Sequence, residues 1–200
     1  NLDHAPYKPG QVIEFRINDT DFRHYTPAFY DQEEGICEVW FYLHGLGPGS
    51  SWVAALQVGD QVNLLGPGGK MHFKTDYPLH IAFGDESALG LCNALYQTAS
   101  SYQQAFHCLL ELAPDHQAWP ELVSLPAEVV ASSVEQPAAG ALAYVKGIEG
   151  SDWEPWQSAI YYLAGRAKSI QHLRTALRAR GISNRQIISF PYWADGKKGL

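Results

Sequence analysis

The sequence predicts two folded units: antiparallel β structure, closed as a barrel or stacked as a sandwich, followed by an α/β unit on a parallel sheet. Three observations lead there. Short runs of strand-forming residues separated by glycine turns fill the chain to about residue 75. The texture changes at Tyr77-Pro78. Beyond that point, continuous apolar runs alternate with stretches of helical spacing, as parallel strands and their crossover helices do. The units are therefore set at residues 1–76 and 77–200.

In the first unit, Lys8-Pro9-Gly10 opens a turn, and residues 11–17 alternate polar and apolar as a half-buried strand does. A polar turn at 18–21 follows, and residues 22–30 run on extended, with Pro27 marking an edge or an exit. Residues 36–44 are dense in the β-branched and aromatic types that favour strands. After Gly47-Pro48-Gly49, Ser50 or Ser51 is expected to cap a short helix reaching Leu56. Residues 61–65 form another strand, stopped by Gly66-Pro67-Gly68-Gly69. In the second unit, strands are expected at 79–85, 106–112, 127–132, 161–165 and 187–190, with helices at 87–100 and 169–180.

Composition narrows the function. With 46% apolar and 18% charged residues the chain can bury a sizeable core, and no run reaches the roughly 18 apolar residues of a membrane span. The net charge of −7 argues against broad binding to nucleic acid or anionic membranes. Cys37, Cys92 and Cys108 are odd in number and widely spaced, which suits free thiols in a reducing compartment. The start at Asn1 has neither the basic region nor the apolar core of a signal peptide, and a cytoplasmic setting is expected. The eight histidines show no metal-ligand pairing, so no resident metal is expected.

Two stretches carry chemistry. Arg23-His24-Tyr25-Thr26 places a fixed cation, a flat aromatic and a small hydroxyl in one extended run. His44-Gly45-Leu46-Gly47-Pro48-Gly49-Ser50-Ser51-Trp52 ends a strand in glycines and serines just before an apolar, helix-like stretch. A flavin dinucleotide requires such a set: a phosphate clamp, a ring against the flavin, a hydroxyl near its reactive nitrogen, and free amides at a helix start. The alternative is an ordinary strand with a surface Arg, a buried Tyr and a strand-end His. The second stretch is not a Gly-x-Gly-x-x-Gly fingerprint, because Ser50 stands at the third glycine and the sheet is antiparallel. Gly66-Pro67-Gly68-Gly69-Lys70 is likewise no phosphate loop, since Leu64 and Met71 occupy required positions.

On these motifs the chain resembles the FAD half of the ferredoxin-reductase-like flavoproteins and, within them, the siderophore-interacting proteins, which are FAD-dependent ferric-siderophore reductases. The resemblance implies an FAD-binding antiparallel β-barrel followed by an NAD(P)-binding α/β domain. The family barrel has six strands, and four or five are expected here, so either the barrel is reduced or the sequence begins partway through it. The implied cofactor residues are Arg23 on the FAD phosphate, Tyr25 against the isoalloxazine, Thr26 near flavin N5, and His44, Gly49, Ser50, Ser51 and Trp52 at the pyrophosphate. Ala28 stands where relatives usually carry a second Arg.

In the second unit, Asp85-Glu86-Ser87-Ala88-Leu89 resembles the family's Asp-Glu-Thr-Ala-Leu, where the nicotinamide nucleotide approaches the flavin. Asp85 or Ser87 is also a natural helix N-cap. Ala164-Gly165-Arg166 corresponds to the family's Ala-Gly-Glu; Arg166 could hold a 2′-phosphate, favouring NADPH over NADH, or pair with Asp85 or Glu86. The ending Tyr192-Trp193-Ala194-Asp195-Gly196 resembles the family's Tyr-Trp-x-x-Gly, which folds back toward the flavin. Trp193, Lys197 and Lys198 are thus candidate contacts for an anionic ferric chelate, or part of a solubilising tail. The implied activity is NAD(P)H-dependent reduction of chelated Fe(III) to Fe(II) by a monomer. Another flavin reductase of the same superfamily, or a flavin- or siderophore-binding protein without turnover, are the alternatives.

Overall fold

The computed structural model describes residues 6–45 and 47–197. Five short antiparallel strands come first: β1 (Val12–Arg16), β2 (Phe22–Tyr25), β3 (Phe29–Asp31), β4 (Ile36–Glu38) and β5 (Leu64–Gly68), with helix α1 (Pro48–Ala55) between the last two. They form a sheet in the order β2-β1-β5 and a separate β3-β4 hairpin, so the described strands do not close a barrel. Ile13, Phe15 and Ile17 make a small core, against which Tyr25, Phe41, Trp52 and Leu64 pack.

Three expectations need correcting in this region. Residues 39–44 are not part of a ladder; their aromatics are still used, Phe41 against Tyr25 and Trp40 against the second unit's core. β5 starts and ends later than predicted. It runs through a cis Gly66-Pro67 bond and pairs Gly68 with Val12, which is tolerable because β5 is an edge strand and proline offers no amide to the ladder. Helix α1 begins at Pro48, with Gly47 as its N-cap and no side-chain cap.

A five-stranded parallel sheet follows: β6 (Leu79–Gly84), β7 (Ala105–Leu112), β8 (Glu128–Ala131), β9 (Ile160–Arg166) and β10 (Ile187–Trp193), in the order β10-β9-β6-β7-β8. The sequence doubles back between β6 and β9, the switch point at which such sheets receive ligands beyond their carboxyl ends. The crossovers hold helices α2 (Leu89–Ser101), α3 (Trp119–Leu122), α4 (Ala139–Gly147), α5 (Glu154–Gln157) and α6 (Ala167–Ala179). Of these α3, α4 and α5 were not foreseen, since glycine, alanine and proline hide their periodicity.

Because side chains alternate across each strand, the sheet separates two cores. Ala82, Leu110 and Tyr162 face α2, whereas Ile81, Phe83, Leu109, Tyr161 and Leu163 face α4 and α6. Helix α6 supplies Ile170, Leu173 and Leu177, one stripe at helical spacing. Ser169 in its first turn donates to Glu111 at the end of β7 at 2.8 Å. Cys92 and Cys108 are free and buried, and Cys37 is free and half-buried. Among the described residues no helix is long and apolar enough to cross a membrane.

The segment between the two sheets is pinned from below. His80, fully buried at the start of β6, stacks on Phe73 with ring centroids 4.1 Å apart. Its Nε2 donates to Gln104 Oε1 at 2.9 Å, and its Nδ1 is 3.3 Å from the Tyr162 hydroxyl. That hydroxyl also accepts from the Lys74 amide at 2.9 Å. Tyr162→Phe would leave the Lys74 amide without its acceptor, and is expected to cost about 1–3 kcal/mol in urea unfolding. A midpoint matching the wild type would refute this role for the hydroxyl.

Candidate functional site

The carboxyl ends of β6 and β9 meet at Asp85. Its Oδ1 accepts from the Ser87 amide at 2.9 Å and the Ser87 hydroxyl at 2.5 Å, so Asp85 rather than Ser87 caps the short 3-10 turn leading into α2. Its Oδ2 accepts from the Arg166 amide at 2.7 Å and from the Trp193 indole at 2.8 Å. Asp85 is only 7% exposed; burial pushes its pKa up, and the four donors pull it back. Gly165 makes the approach possible. With φ of +100°, a Cβ there would lie 2.4 Å from Asp85 Oδ2, so both the backbone angle and the space demand glycine.

Arg166 sends its guanidinium away from this carboxylate. It donates to Asp195 at 2.9 and 3.3 Å and to the carbonyls of Ser133 and Val134 at 2.9 and 3.0 Å, with the Trp193 ring 5.6 Å from its central carbon. The expected pairing with Asp85 or Glu86 is therefore replaced by one with Asp195. The reason is geometric: the Arg166 backbone occupies Asp85, and its side chain is carried to the C-terminal turn. That hydrogen-bonded pair holds the Asp195 carboxyl below its ordinary value. Lys168 adds a second cation 3.2 Å from Asp195. Arg180, at the end of α6, lies over the Trp153 ring at 3.4 Å and donates to the carbonyls of Val145 and Ile148.

Glu86 is also occupied. It accepts from the Ala113 amide at 2.8 Å and from His116 Nδ1 at 2.9 Å, tying the loop after β7 to the start of α2. His116 stacks on Trp119 at 4.0 Å, and Tyr42 sets its edge against both, at 5.5 and 5.8 Å. The His44 ring lies 5.8 Å from Tyr42. Sequence reading missed Tyr42, His116 and Trp119, and nothing in their spacing signals that they meet. Ala88 is fully buried, and its methyl is 2.5 Å from where a Cβ on Gly84 would stand, so the turn is closely packed.

The two flavin-type stretches converge. A Cβ on Gly49 would stand 2.9 Å from the Tyr25 hydroxyl and 3.4 Å from Arg23 Cγ, so glycine lets the start of α1 close on the Arg-Tyr pair. One terminal nitrogen of Arg23 donates to the Phe22 carbonyl at 2.7 Å, and among the described residues its other nitrogens have no hydrogen-bond partner. Tyr25 packs its ring against Phe41 and Phe15 at 4.6 and 5.9 Å, and burial raises its pKa against the pull of Arg23. The serines do not cap: Ser50 Oγ accepts from the Gly45 amide at 3.2 Å, and Ser51 Oγ donates to the Gly47 carbonyl at 3.2 Å. Trp52 packs on Phe15 at 5.5 Å, within the small core. A guanidinium with open donors, a helix start and a closely held tyrosine fit a dinucleotide phosphate and an adjoining ring system.

Thr26 connects this stretch to the parallel sheet. It is 6% exposed, its hydroxyl is 2.5 Å from that of Tyr192 on β10, and its carbonyl is 3.1 Å from where a Cβ on Gly90 of α2 would be. The Asn93 side chain donates to the Ala28 carbonyl at 3.1 Å beside it. Lys197 is exposed, with its amide donating to the Ala194 carbonyl at 3.1 Å; Lys198 lies outside the described residues.

Comparison with known proteins decides the family. Residues 12–71 match the siderophore-interacting FAD-binding domain, and residues 77–196, more than half of the chain, match the siderophore-interacting protein family. The chain belongs to the siderophore-interacting protein family. FAD is the cofactor of its first module. Among relatives of this family member, the ferric vibriobactin reductase ViuB of Vibrio cholerae is 28% identical over 207 residues, spanning 96% of this chain and 71% of the relative. The siderophore-interacting protein SipS from Aeromonas hydrophila superposes with a TM-score of 0.77 at 19% identity, over 98% of this chain and 82% of that one. A ferredoxin reductase in carbazole 1,9a-dioxygenase does so with 0.76 at 20% identity, over 94% of this chain and 60% of that one. These likenesses establish the ferredoxin-reductase-like fold of antiparallel strands followed by a parallel sheet.

Two outcomes follow from the Asp85 and Asp195 geometry. Asp85→Asn must turn an NH2 toward two donors whichever way it rotates. It is expected to lose about 2–4 kcal/mol in chemical denaturation, the relief of a buried charge offsetting part of the broken bonds. For Asp195, a lowered folded pKa means its pairing stabilises above the unfolded value and is lost as pH falls through the folded one. The stability gap between wild type and Asp195→Asn should therefore close on acidification below about pH 4. A gap independent of pH would contradict the ion-pair assignment.

Proposed function

We propose that the chain is an FAD-dependent, NAD(P)H-linked ferric-siderophore reductase that releases chelated iron as Fe(II) in the cytoplasm, working as a monomer. Residues 1–76 are the FAD-binding unit, and residues 77–200 receive the nicotinamide donor. The observation that carries this reading is the contact between Thr26 and Tyr192, because it puts the flavin-type stretch at the carboxyl end of the parallel sheet. That is the place where a nucleotide held by the sheet would reach a flavin held by the strands. The reductase activity named for the ViuB relative supports the choice of substrate.

FAD, when bound, would supply the redox chemistry between a nicotinamide donor and chelated Fe(III). The chain's own residues bind and orient. Arg23 and the Gly49 and Ser50 amides neutralise the diphosphate, with Ser51, Trp52 and His44 shaping that end. Tyr25 provides a ring wall, and Thr26 holds a hydroxyl at flavin N5. Asp85, Glu86, Ser87, Ala88 and Gly165 fix the turn against which the donor lies, with Arg166 held by Asp195 beside it. Trp193 and Lys197 are assigned to the incoming ferric chelate, with Lys198 next in sequence, and the lysines offer positive charge on a protein of net charge −7.

An anaerobic absorbance series tests the reading. FAD bands should bleach with NADPH or NADH and return on adding a ferric catecholate or hydroxamate, with Fe(II) trapped by a chromogenic chelator. Bleaching without reoxidation by the chelate would favour another flavin reductase, and retention of FAD without bleaching would favour a binding protein. Arg23→Ala is expected to weaken FAD binding roughly 10- to 100-fold, the worth of a charged hydrogen bond to phosphate. An unchanged affinity would remove Arg23 from the phosphate site.

A further inference from the structure

Asp195 sits on Arg166 in the way an anionic ligand would. The turn that presents it is closed by the Lys197 amide on the Ala194 carbonyl at 3.1 Å, with Gly196 at φ +72°. Its two oxygens take one edge of the Arg166 guanidinium, Nε at 3.3 Å and Nη2 at 2.9 Å, and Lys168 Nζ stands 3.2 Å away. Two donors on one edge of a planar cation are also what a phosphate takes. The Ser133 and Val134 carbonyls accept two more of the guanidinium hydrogens. Four of the five are therefore spent, and the edge on Asp195 is the one that can be released without moving the loop after β8.

This pair lies where two electron donors are told apart. Arg166 ends β9, at the carboxyl edge of the sheet, to which the reading above brings the nicotinamide donor. NADPH differs from NADH by one phosphate on the adenosine ribose, and in dinucleotide folds a nearby arginine accommodates that phosphate. Here the arginine is already filled by a carboxylate of its own chain. The Arg166 side chain is 9% exposed and that of Asp195 34%, so an incoming anion meets the carboxylate before the cation behind it. Like charges brought together in this way are a means of rejecting a ligand.

We propose that Asp195 sets donor choice, filling the Arg166–Lys168 site with an internal carboxylate that excludes the 2′-phosphate of NADPH and leaves NADH unaffected. This rests on the reading above that residues 77–200 receive a nicotinamide dinucleotide. Removing the carboxylate uncovers both cations without releasing Arg166, whose side chain stays on the Ser133 and Val134 carbonyls and whose amide stays on Asp85. Two positive charges then face a phosphate that carries about two negative ones.

The test is calorimetric titration of the full chain with NADP+ and NAD+ in the presence of FAD, repeated with adenosine 2′,5′-bisphosphate and 5′-AMP. Wild type is expected to bind NAD+ at least as tightly as NADP+. Asp195→Asn keeps the shape and removes the charge. Its affinity for NADP+ should rise about tenfold while that for NAD+ stays within about twofold. The adenosine bisphosphate should gain over 5′-AMP in the same way, and the gain should shrink between about 0.05 and 0.5 M salt. Wild type that prefers NADP+, or a variant of unchanged selectivity, overturns the proposal. So does an equal gain for both dinucleotides, which would make the C-terminal turn a cover over the whole site, or a gain indifferent to salt. Asp195→Ser is the second variant; loss of folding in both, seen by thermal melting, also overturns the proposal by making the carboxylate a structural necessity. Wild type that binds neither dinucleotide defeats the parent reading and this one together; wild type that binds NAD+, with selectivity unmoved in Asp195→Asn, defeats this one alone.

Discussion

The carboxylate of Asp85 gathers donors from three separate parts of the chain: the turn after β6, the end of β9 and the C-terminal strand. Each donor would otherwise be an unpaired group at the frayed end of a parallel sheet, where the ladder can no longer satisfy it. Burying a charge at that spot is unfavourable, and the four bonds make it tolerable. Gly165 lets the backbone come close enough for the bonds to form. The position of Arg166, the seat of Trp193 and the path of the final residues all follow from this point.

From there the fold reaches across to the antiparallel unit. β10 carries Tyr192 to Thr26, α2 brings Asn93 to the Ala28 carbonyl, and the His24 ring rests edge-on 6.4 Å from Phe190. The two halves therefore meet at Thr26 and the residues beside it, and a shift in either changes the geometry there. Farther out, the Tyr42, His116 and Trp119 cluster forms a second bridge, held by Glu86.

Much of the fold was legible because its signals are local. The apolar runs of β6, β7 and β9 are largely buried and announce themselves, as does the stripe on α6. Gly-Pro-Gly at 47–49 marked the start of α1, though the serines after it turned out to bond backward rather than cap. What stayed hidden depends on distant pairing. Nothing near residues 39–44 shows that a strand-like composition will find no neighbour. Nothing near Arg166 shows that its partner is Asp195, 29 positions on. The site followed the same division. The Arg-x-Tyr-Thr run and the glycine-serine stretch stand out as candidates from their residue types alone, whereas the Tyr192 contact depends on the register of β10 and not on any motif.

Met71 and Phe73 precede Tyr77 in the chain, yet they are buried in the core shared with α2, β6 and β7. The amide of Phe73 also donates to the Pro9 carbonyl at 2.8 Å, so the same few residues are stitched to the opposite end of the antiparallel unit. The seam is thus a shared keel. A chimaera that joined the front of one relative to the back of another at Tyr77 would seat a foreign Met-Phe pair in a cavity shaped for this one. Exchange between relatives is least disruptive when the crossover falls before Met71, so that these side chains travel with the sheet that encloses them.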